Sequence, residues 1–273
     1  MNDLIDQFRL AIAAAGLTPP TEIIDDGVIH RFSTSGKPTH KNGWYMLHTD
    51  GIAAGAFGDW REGFTQNWCS KADTTMTEAE RIAHRERVKA MQRQREDDLA
   101  QRQQLAAADA LKRWTAATPC TQHDYLTRKG IQPHGAKIEG DKLLIPMRDT
   151  AGTVHSLQTI APDGTKMFMS GGRVKGCYFG IGKPKGALIV CEGFATGASI
   201  HECTGHAVAV AFNAGNLEAV AVALRSKYPA LKIIIAADDD HQTPGNPGMT
   251  KATAAVQATG ATLAVPVFKA TTS

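Results

Sequence analysis

The chain has 273 residues, 42% of them hydrophobic, and a formal net charge of +3. This length is enough for one large or two small cores, at about 100–200 residues per domain. The small net charge excludes a polycation that binds nucleic acid through bulk charge, so a nucleic-acid partner would need a local basic strip.

The cysteines and the N-terminus narrow the class of protein further. Five cysteines are present and none forms a C-x-x-C pair. We therefore predict no zinc ribbon, and the odd count argues against a disulfide framework. The acidic N-terminus lacks the apolar core of a signal peptide. The sequence contains no run of about 18 apolar residues, so we predict no membrane span. We expect a cytoplasmic protein with no membrane partner.

Residues 1–76 predict a small N-terminal α+β domain. Residues 1–16 have the apolar spacing of a helix, and residues 20–75 carry the glycines, aromatics and short apolar runs of a sheet-rich region. Trp44 and Trp60 lie among basic residues, a pattern that suits stacking on single-stranded bases and template binding. Aromatic residues in so small a domain more often form its core, and the pattern alone leaves both readings open.

Residues 77–117 contain no glycine or proline and predict one long, charged linking helix. Thr77 and Glu80 form a capping-box pattern at its start. The apolar stripe is thin and no heptad repeat is sustained, so we predict no coiled coil. Its arginines could contact a phosphate backbone, although a run of charges is usually a solvated face.

The rest of the chain predicts a compact α/β region. Residues 118–185 contain short strands and turns, as expected for a small α+β subdomain. Residues 186–268 alternate continuous Ile/Val/Ala runs with helical segments, which predicts a parallel sheet flanked by helices. Residues 269–273 form a tail. The predicted fold class is therefore α/β.

Two acidic clusters follow two of these predicted strands. Glu192 comes directly after ALIVC, and Asp238, Asp239 and Asp240 come directly after KIIIAA. In an open parallel sheet, the active crevice lies beyond the carboxyl ends of the strands. Residues i and i+2 of an extended segment point the same way, which groups Asp238 with Asp240. Three crowded carboxylates favour Mg²⁺ or Mn²⁺, although acids at strand ends also serve solubility or helix capping.

The order of these motifs resembles the Toprim domain of primases, topoisomerases and some nucleases. The segments CEGFATGASI and ADDDHQTPGNPGMTKA are most similar to motifs of primases from conjugative plasmids and satellite phages. The resemblance covers about residues 120–268. It implies a DNA primase, a nucleotidyltransferase that uses Glu192, Asp238 and Asp240 to hold Mg²⁺ or Mn²⁺. The expected product is a short RNA primer, made from ribonucleoside triphosphates on single-stranded DNA during plasmid or phage replication.

Further residues are candidates for binding nucleotide or template phosphates. The resemblance implies that four basic residues line a groove that faces the Toprim domain: Arg148, Lys166, Arg173 and Lys175. Their positions after strands or near helix starts suggest three more: Gly193, Asn213 and Lys251. Ordinary surface charge is the competing explanation for the lysines and arginines.

Two other functions stay open from the sequence. One is a Toprim nuclease or topoisomerase-like enzyme, and the other is a non-catalytic protein that binds single-stranded nucleic acid. A replicative helicase is the partner that the resemblance implies, on the same chain or on another. A fragment of a longer primase–helicase and a stand-alone primase are both compatible with this sequence.

Overall fold

The computed structural model describes residues 2–36, 41–60, 62–71, 75–238, 243 and 245–266. The chain divides into two compact units, Met1–Leu99 and Ala100–Ser273. Within the described residues, no helix combines the length and the apolar character that crossing a bilayer requires.

The first unit is built on an antiparallel sheet with strand order β1-β2-β3-β4. Its elements are α1 (Asn2–Ala14), β1 (His30–Phe32), β2 (Gly43–His48), β3 (Ala54–Asp59) and β4 (Phe64–Cys69). Phe8 of α1 packs against Tyr45 and Phe57 on one face of the sheet. Met46 on β2 packs against Met91. The apolar residues of β2 and β3 are therefore covered on both faces.

Met91 belongs to the long helix α2 (Glu78–Ala116). The predicted capping box is confirmed, because the Thr77 N–H donates to the Glu80 carboxylate at 2.7 Å and the Glu80 N–H donates to the Thr77 hydroxyl at 3.3 Å. The boundary between the two compact units falls inside this helix, after Leu99. The finer division of the chain at residues 76, 117 and 185 stays a prediction.

The second unit begins with an antiparallel sheet of five strands in sequential order. Its elements are β5 (Thr118–Pro119), the short helix α3 (Asp124–Lys129), β6 (Lys137–Glu139), β7 (Lys142–Arg148), β8 (Val154–Ile160) and β9 (Lys166–Phe168). The central strand β7 is almost wholly buried, whereas all three residues of the edge strand β9 are exposed.

The second sheet of this unit has the order β10-β12-β11-β13-β14. The elements are β10 (Phe179–Ile181), β11 (Ala187–Cys191), α4 (Phe194–Thr204), β12 (Ala207–Val210), α5 (Leu217–Lys227), β13 (Lys232–Ala236), α6 (Pro247–Thr259) and β14 (Thr262–Ala264). Strands β11 to β14 are parallel, and β10 pairs antiparallel with β12. The predicted α/β fold is confirmed, with an antiparallel edge strand that the sequence pattern did not indicate.

The two sheets of the second unit share one hydrophobic core. Leu143 and Ile145 of β7 belong to the same cluster as Ile189 of β11 and Phe194 of α4. Helices α5 and α6 cover the other face of the parallel sheet through a second cluster. This arrangement holds the antiparallel sheet in a defined position against the parallel sheet, which matters for the candidate site.

Candidate active site

Glu192 and Asp238 come together at the carboxyl ends of two neighbouring strands. In the β11–β13 pair, Val190 lies opposite Ile235 in parallel register. Glu192 directly follows β11, and Asp238 lies two residues beyond the end of β13. Since neighbouring strands are about 4.8 Å apart, both residues reach the same edge of the sheet. We call this edge, defined by Glu192, Asn213 and Asp238, the acidic rim.

Both carboxylates influence the buried thiol of Cys191. Burial raises the pKa of the Cys191 thiol well above its ordinary value, and the negative charges of Asp238 and Glu192 raise it further. Both carboxylates therefore act on the same sulfur atom. Both side chains are only partly buried, so a ligand at the rim can reach them.

The third predicted acid, Asp240, lies outside the described residues, as does Asp239. Among the residues that the structure does describe, no three His, Cys, Asp or Glu side chains form a group that could hold a metal ion. Glu192 and Asp238 alone provide two neighbouring carboxylates, and hard oxygen donors of this kind fit Mg²⁺ or Mn²⁺. The role of Asp240 stays a prediction.

The helix that follows Glu192 presents its N-terminus at the acidic rim. Gly193 is the N-cap of α4 and has no side chain to satisfy the N–H groups of the first turn. Gly197, the fourth residue of α4, has a packing role. A Cβ atom there would lie 2.7 Å from a methyl group of Val210 and 3.0 Å from the Cys191 sulfur. Gly197 thus lets α4 pack closely on the sheet.

Asn213 and Lys251 lie on the same side of the parallel sheet as the acids. Asn213 follows β12, and its side chain does not cap the short 3-10 turn Ala214–Asn216. Lys251 is exposed in the first half of α6, the helix that starts after the β13 segment. A helix that connects two parallel strands starts at the carboxyl end of the first strand. The first half of α6 is therefore at the end of the sheet that carries the acidic rim.

A basic loop reaches the acidic rim because β10 is antiparallel to its neighbour. Phe179, the first residue of β10, lies opposite Val210, the last residue of β12. Residues 171–178, which we call the basic loop, therefore arrive where β12 ends. Backbone hydrogen bonds of 3.0 and 2.8 Å between Arg148 and Tyr178 attach the end of β7 to the same loop. The structure thus brings Arg148, Arg173 and Lys175 to the side of the sheet that carries the acids.

One buried side chain, that of Asn216, fastens the basic loop to the parallel sheet. Asn216 is 3% exposed. Its side-chain oxygen accepts from the Gly176 N–H at 2.8 Å, and its amide nitrogen donates to the Cys177 and Ala211 carbonyls, each at 2.9 Å. We did not predict this residue. Its only sequence signal is an Asn before a helix, which normally indicates a cap.

The two arginines of the predicted groove are held by protein groups. The Arg148 guanidinium donates to the Gly152 carbonyl at 2.9 Å and lies 5.5 Å from the centre of the Trp114 ring, and burial lowers its pKa. Arg173 donates to Asp149 at 3.4 Å. Lys166 and Lys175, in contrast, are exposed. The lysines are therefore the more available partners for a phosphate, while the arginines also shape the loop.

Trp44 and Trp60 of the first unit differ in how far their rings are exposed. Trp44 is 1% exposed, with the Arg95 guanidinium 4.8 Å and the Trp60 ring 5.4 Å from its ring centre. Of the two roles that the sequence allowed, Trp44 has the core role and not base stacking, because its ring is covered. Trp60 is only partly buried and lies 5.5 Å from the Arg31 guanidinium, so its role stays a prediction.

Known proteins resemble this chain in sequence over its second unit and beyond. Residues 187–271 match the Toprim domain family. Over 96% of its length the chain is 36% identical to one DNA primase TraC of Escherichia coli, and 37% identical to another. These matches span only 26% and 19% of the two relatives. The chain thus covers about a quarter or less of their length.

A search of solved structures finds a DnaG primase catalytic domain bound to single-stranded DNA. The match has 11% sequence identity and a TM-score of 0.44, and it covers 63% of this chain and 73% of that domain.

Proposed function

Because the chain carries a Toprim domain and is related over 96% of its length to DNA primase TraC, we propose that it is a DNA primase. The observation that supports the proposal is that Glu192 and Asp238 lie just beyond the carboxyl ends of two neighbouring parallel strands. Asn216 fixes the basic loop at the end of β12, the same end of the parallel sheet at which the two acids lie.

The proposed reaction joins two ribonucleotides on a single-stranded DNA template. The 3′-hydroxyl of one attacks the α-phosphate of the next nucleoside triphosphate, and pyrophosphate leaves. Glu192, Asp238 and the predicted ligand Asp240 would hold Mg²⁺ or Mn²⁺, which when bound neutralises phosphate charge and favours the ionised hydroxyl. In this proposal, Lys175 and the N–H groups at the start of α4, where the N-cap Gly193 has no side chain, would bind the phosphates.

Primer synthesis on a single-stranded template tests this function directly. The protein is incubated with labelled ribonucleoside triphosphates, single-stranded DNA and Mg²⁺, and the products are separated by length. We expect labelled oligoribonucleotides from the wild type, and a loss of about 100-fold or more in Glu192→Gln and in Asp238→Asn, since charge stabilisation at the reacting phosphate is lost. Asp141→Asn is the matched control, because Asp141 is an exposed carboxylate in the turn before β7, at the opposite end of that strand from Arg148.

The same assay separates the competing functions. A template that becomes shorter with Mg²⁺, without labelled product, indicates a Toprim nuclease. DNA binding that persists in both carboxylate variants, with no synthesis by the wild type, indicates a binding protein. Either result rejects the primase.

We also propose the partners and the location that accompany this activity. Single-stranded DNA and ribonucleoside triphosphates are the substrates, and a replicative helicase is the protein partner that the motif resemblance implies. A cytoplasmic location is supported by the five cysteines, all of which are free thiols.

A further inference from the structure

An exposed aromatic side chain lies beside the acidic rim and has no part in the proposed chemistry. Phe168 is the last residue of the edge strand β9 and is 42% exposed. Its ring is 6.4 Å from that of Phe212, at an interplanar angle of 78°. Phe212 immediately precedes Asn213 of the rim, so Phe168 lies at the entrance to the candidate active site.

The ring of Phe168 is held in place from two sides. On its own strand, Phe168 pairs with Gln158 of β8, and the next residue continues along β8 through a backbone bond of 3.0 Å from Met169 to Leu157. Across the gap, Phe212 is 7% exposed and has a φ of 73°, a conformation that bulky residues seldom adopt. This edge-on contact orients the Phe168 ring and leaves much of it open to solvent.

The positively charged side chain of Lys166 projects from the same face of β9 as Phe168. Lys166 and Phe168 are two residues apart on β9, so their side chains project from the same face, about 6.6 Å apart along the strand. Lys166 is exposed as well. An aromatic ring and an ammonium group at this spacing match a base and a phosphate of an extended single strand, as in other single-strand-binding surfaces.

We propose that Phe168 and Lys166 form a platform on which a base of the single-stranded DNA template stacks while its phosphate is bound. This inference rests on the proposed primase function and names a residue that places the template. The template is favoured over the incoming nucleotide because the platform lies beside β12, on the side of β11 away from β13 and Asp238. The carboxylates that would hold the triphosphate are on β11 and β13.

The test measures binding of labelled single-stranded DNA by fluorescence anisotropy, with no nucleotide and no divalent cation. We expect Phe168→Leu, which keeps an apolar side chain but removes the ring, to bind about 5- to 150-fold more weakly. Phe168→Tyr should restore wild-type binding, since a ring is again present. Met167→Ala is the matched control, because Met167 is 62% exposed on the opposite face of the same strand.

Salt dependence separates stacking from charge. Lys166→Ala should lower the slope of log affinity against log salt by about 0.7, the value for one phosphate contact on a single strand. Phe168→Leu should weaken binding without changing that slope. Melting temperatures of all variants show whether the Phe168–Phe212 contact is only structural, in which case Phe168→Leu melts earlier and binds DNA as the wild type does.

Three results would overturn the platform. They are wild-type DNA affinity in Phe168→Leu, equal weakening in Met167→Ala, and unchanged DNA affinity with a raised KM for ribonucleoside triphosphates. The last would assign the ring to the incoming nucleotide. Primer synthesis by the wild type is measured separately, so a failed platform leaves the primase function standing, whereas a wild type that makes no primers rejects the function itself.

Discussion

Two aromatic sites with neighbouring cations, one in each unit, differ in a way that decides what they can bind. In the first unit, Trp44 carries Arg95 on its ring but is 1% exposed. In the second unit, Phe168 shares a strand face with Lys166 and is 42% exposed. In a sheet covered by helices on both faces the aromatic rings are buried by packing, whereas a ring on an exposed edge strand stays accessible to a ligand. Aromatic and basic residues close together in sequence therefore do not by themselves indicate base stacking.

The largest effect is expected from the buried member of this pair. Trp44→Leu should lower the free energy of unfolding by about 2–4 kcal/mol, because it leaves a cavity beside Met46 and Met91. Chemical denaturation followed by circular dichroism measures this loss. Single-stranded DNA affinity of the folded variant should stay at the wild-type value. A loss of affinity without a loss of stability would remove the distinction between the two sites.

The second-largest effect is expected from Asn216, whose side chain joins the basic loop to Ala211, the residue before Phe212. Asn216→Ala would leave the Gly176 N–H and the Cys177 and Ala211 carbonyls without their partner. We expect a cost of about 1–3 kcal/mol in unfolding free energy. Since Ala211 directly precedes Phe212, we also expect weaker DNA binding and slower primer synthesis.

The matched control for Asn216→Ala is Asn67→Ala, because Asn67 is an exposed asparagine on β4 of the first unit. If Asn216→Ala has both wild-type stability and wild-type DNA binding, the basic loop keeps its position without this side chain.

The smallest effect is a pH dependence at Asp149, which directly follows β7 and contacts Arg173 of the basic loop. Burial raises the pKa of Asp149, but hydrogen bonds from His155, Thr153 and Ala151 lower it more, so the net pKa is below the ordinary value. A carboxylate with a lowered folded-state pKa contributes stability above its unfolded pKa of about 4, and this contribution disappears as the pH falls.

Asp149→Asn should therefore have a lower melting temperature than the wild type at neutral pH. The difference in unfolding free energy should be below about 1 kcal/mol, since the carboxylate is partly exposed. The gap should close as the pH falls below about 4. Melting curves across this range test the sign, and a gap that widens in acid would contradict it. Asp149 also holds Arg173, so a small loss of DNA affinity should accompany the change.

Much of the parallel sheet was predictable, because local chemistry and tertiary structure agree there. The strand predicted before Glu192 ends at Cys191, and the alternation of strands and helices predicted for residues 186–268 continues with the helix Phe194–Thr204. Continuous apolar runs of this kind are typical of strands buried on both faces, so the pattern predicts a sheet covered by helices but not the order of its strands. The antiparallel direction of β10 was not predictable, since a three-residue strand carries no signal for its direction.

Residues whose roles depend on another segment were the ones that sequence reasoning missed or misread. Asn216 acts on Gly176 and Cys177, which are distant in the chain, and Gly197 is required by the position of Val210. Phe168 had no signal beyond one aromatic in a short strand. Its interest comes from the contact with Phe212, which only the folded chain creates.

The sequence by itself determined that Glu192 and Asp238 end two buried strands, because apolar runs and acidic residues are local properties of the chain. Only the tertiary structure decided that those strands are neighbours, that Trp44 is covered and that Phe168 is open. Strand order and exposure depend on contacts between segments far apart in sequence, and the free energy of those contacts is not a property of any one segment.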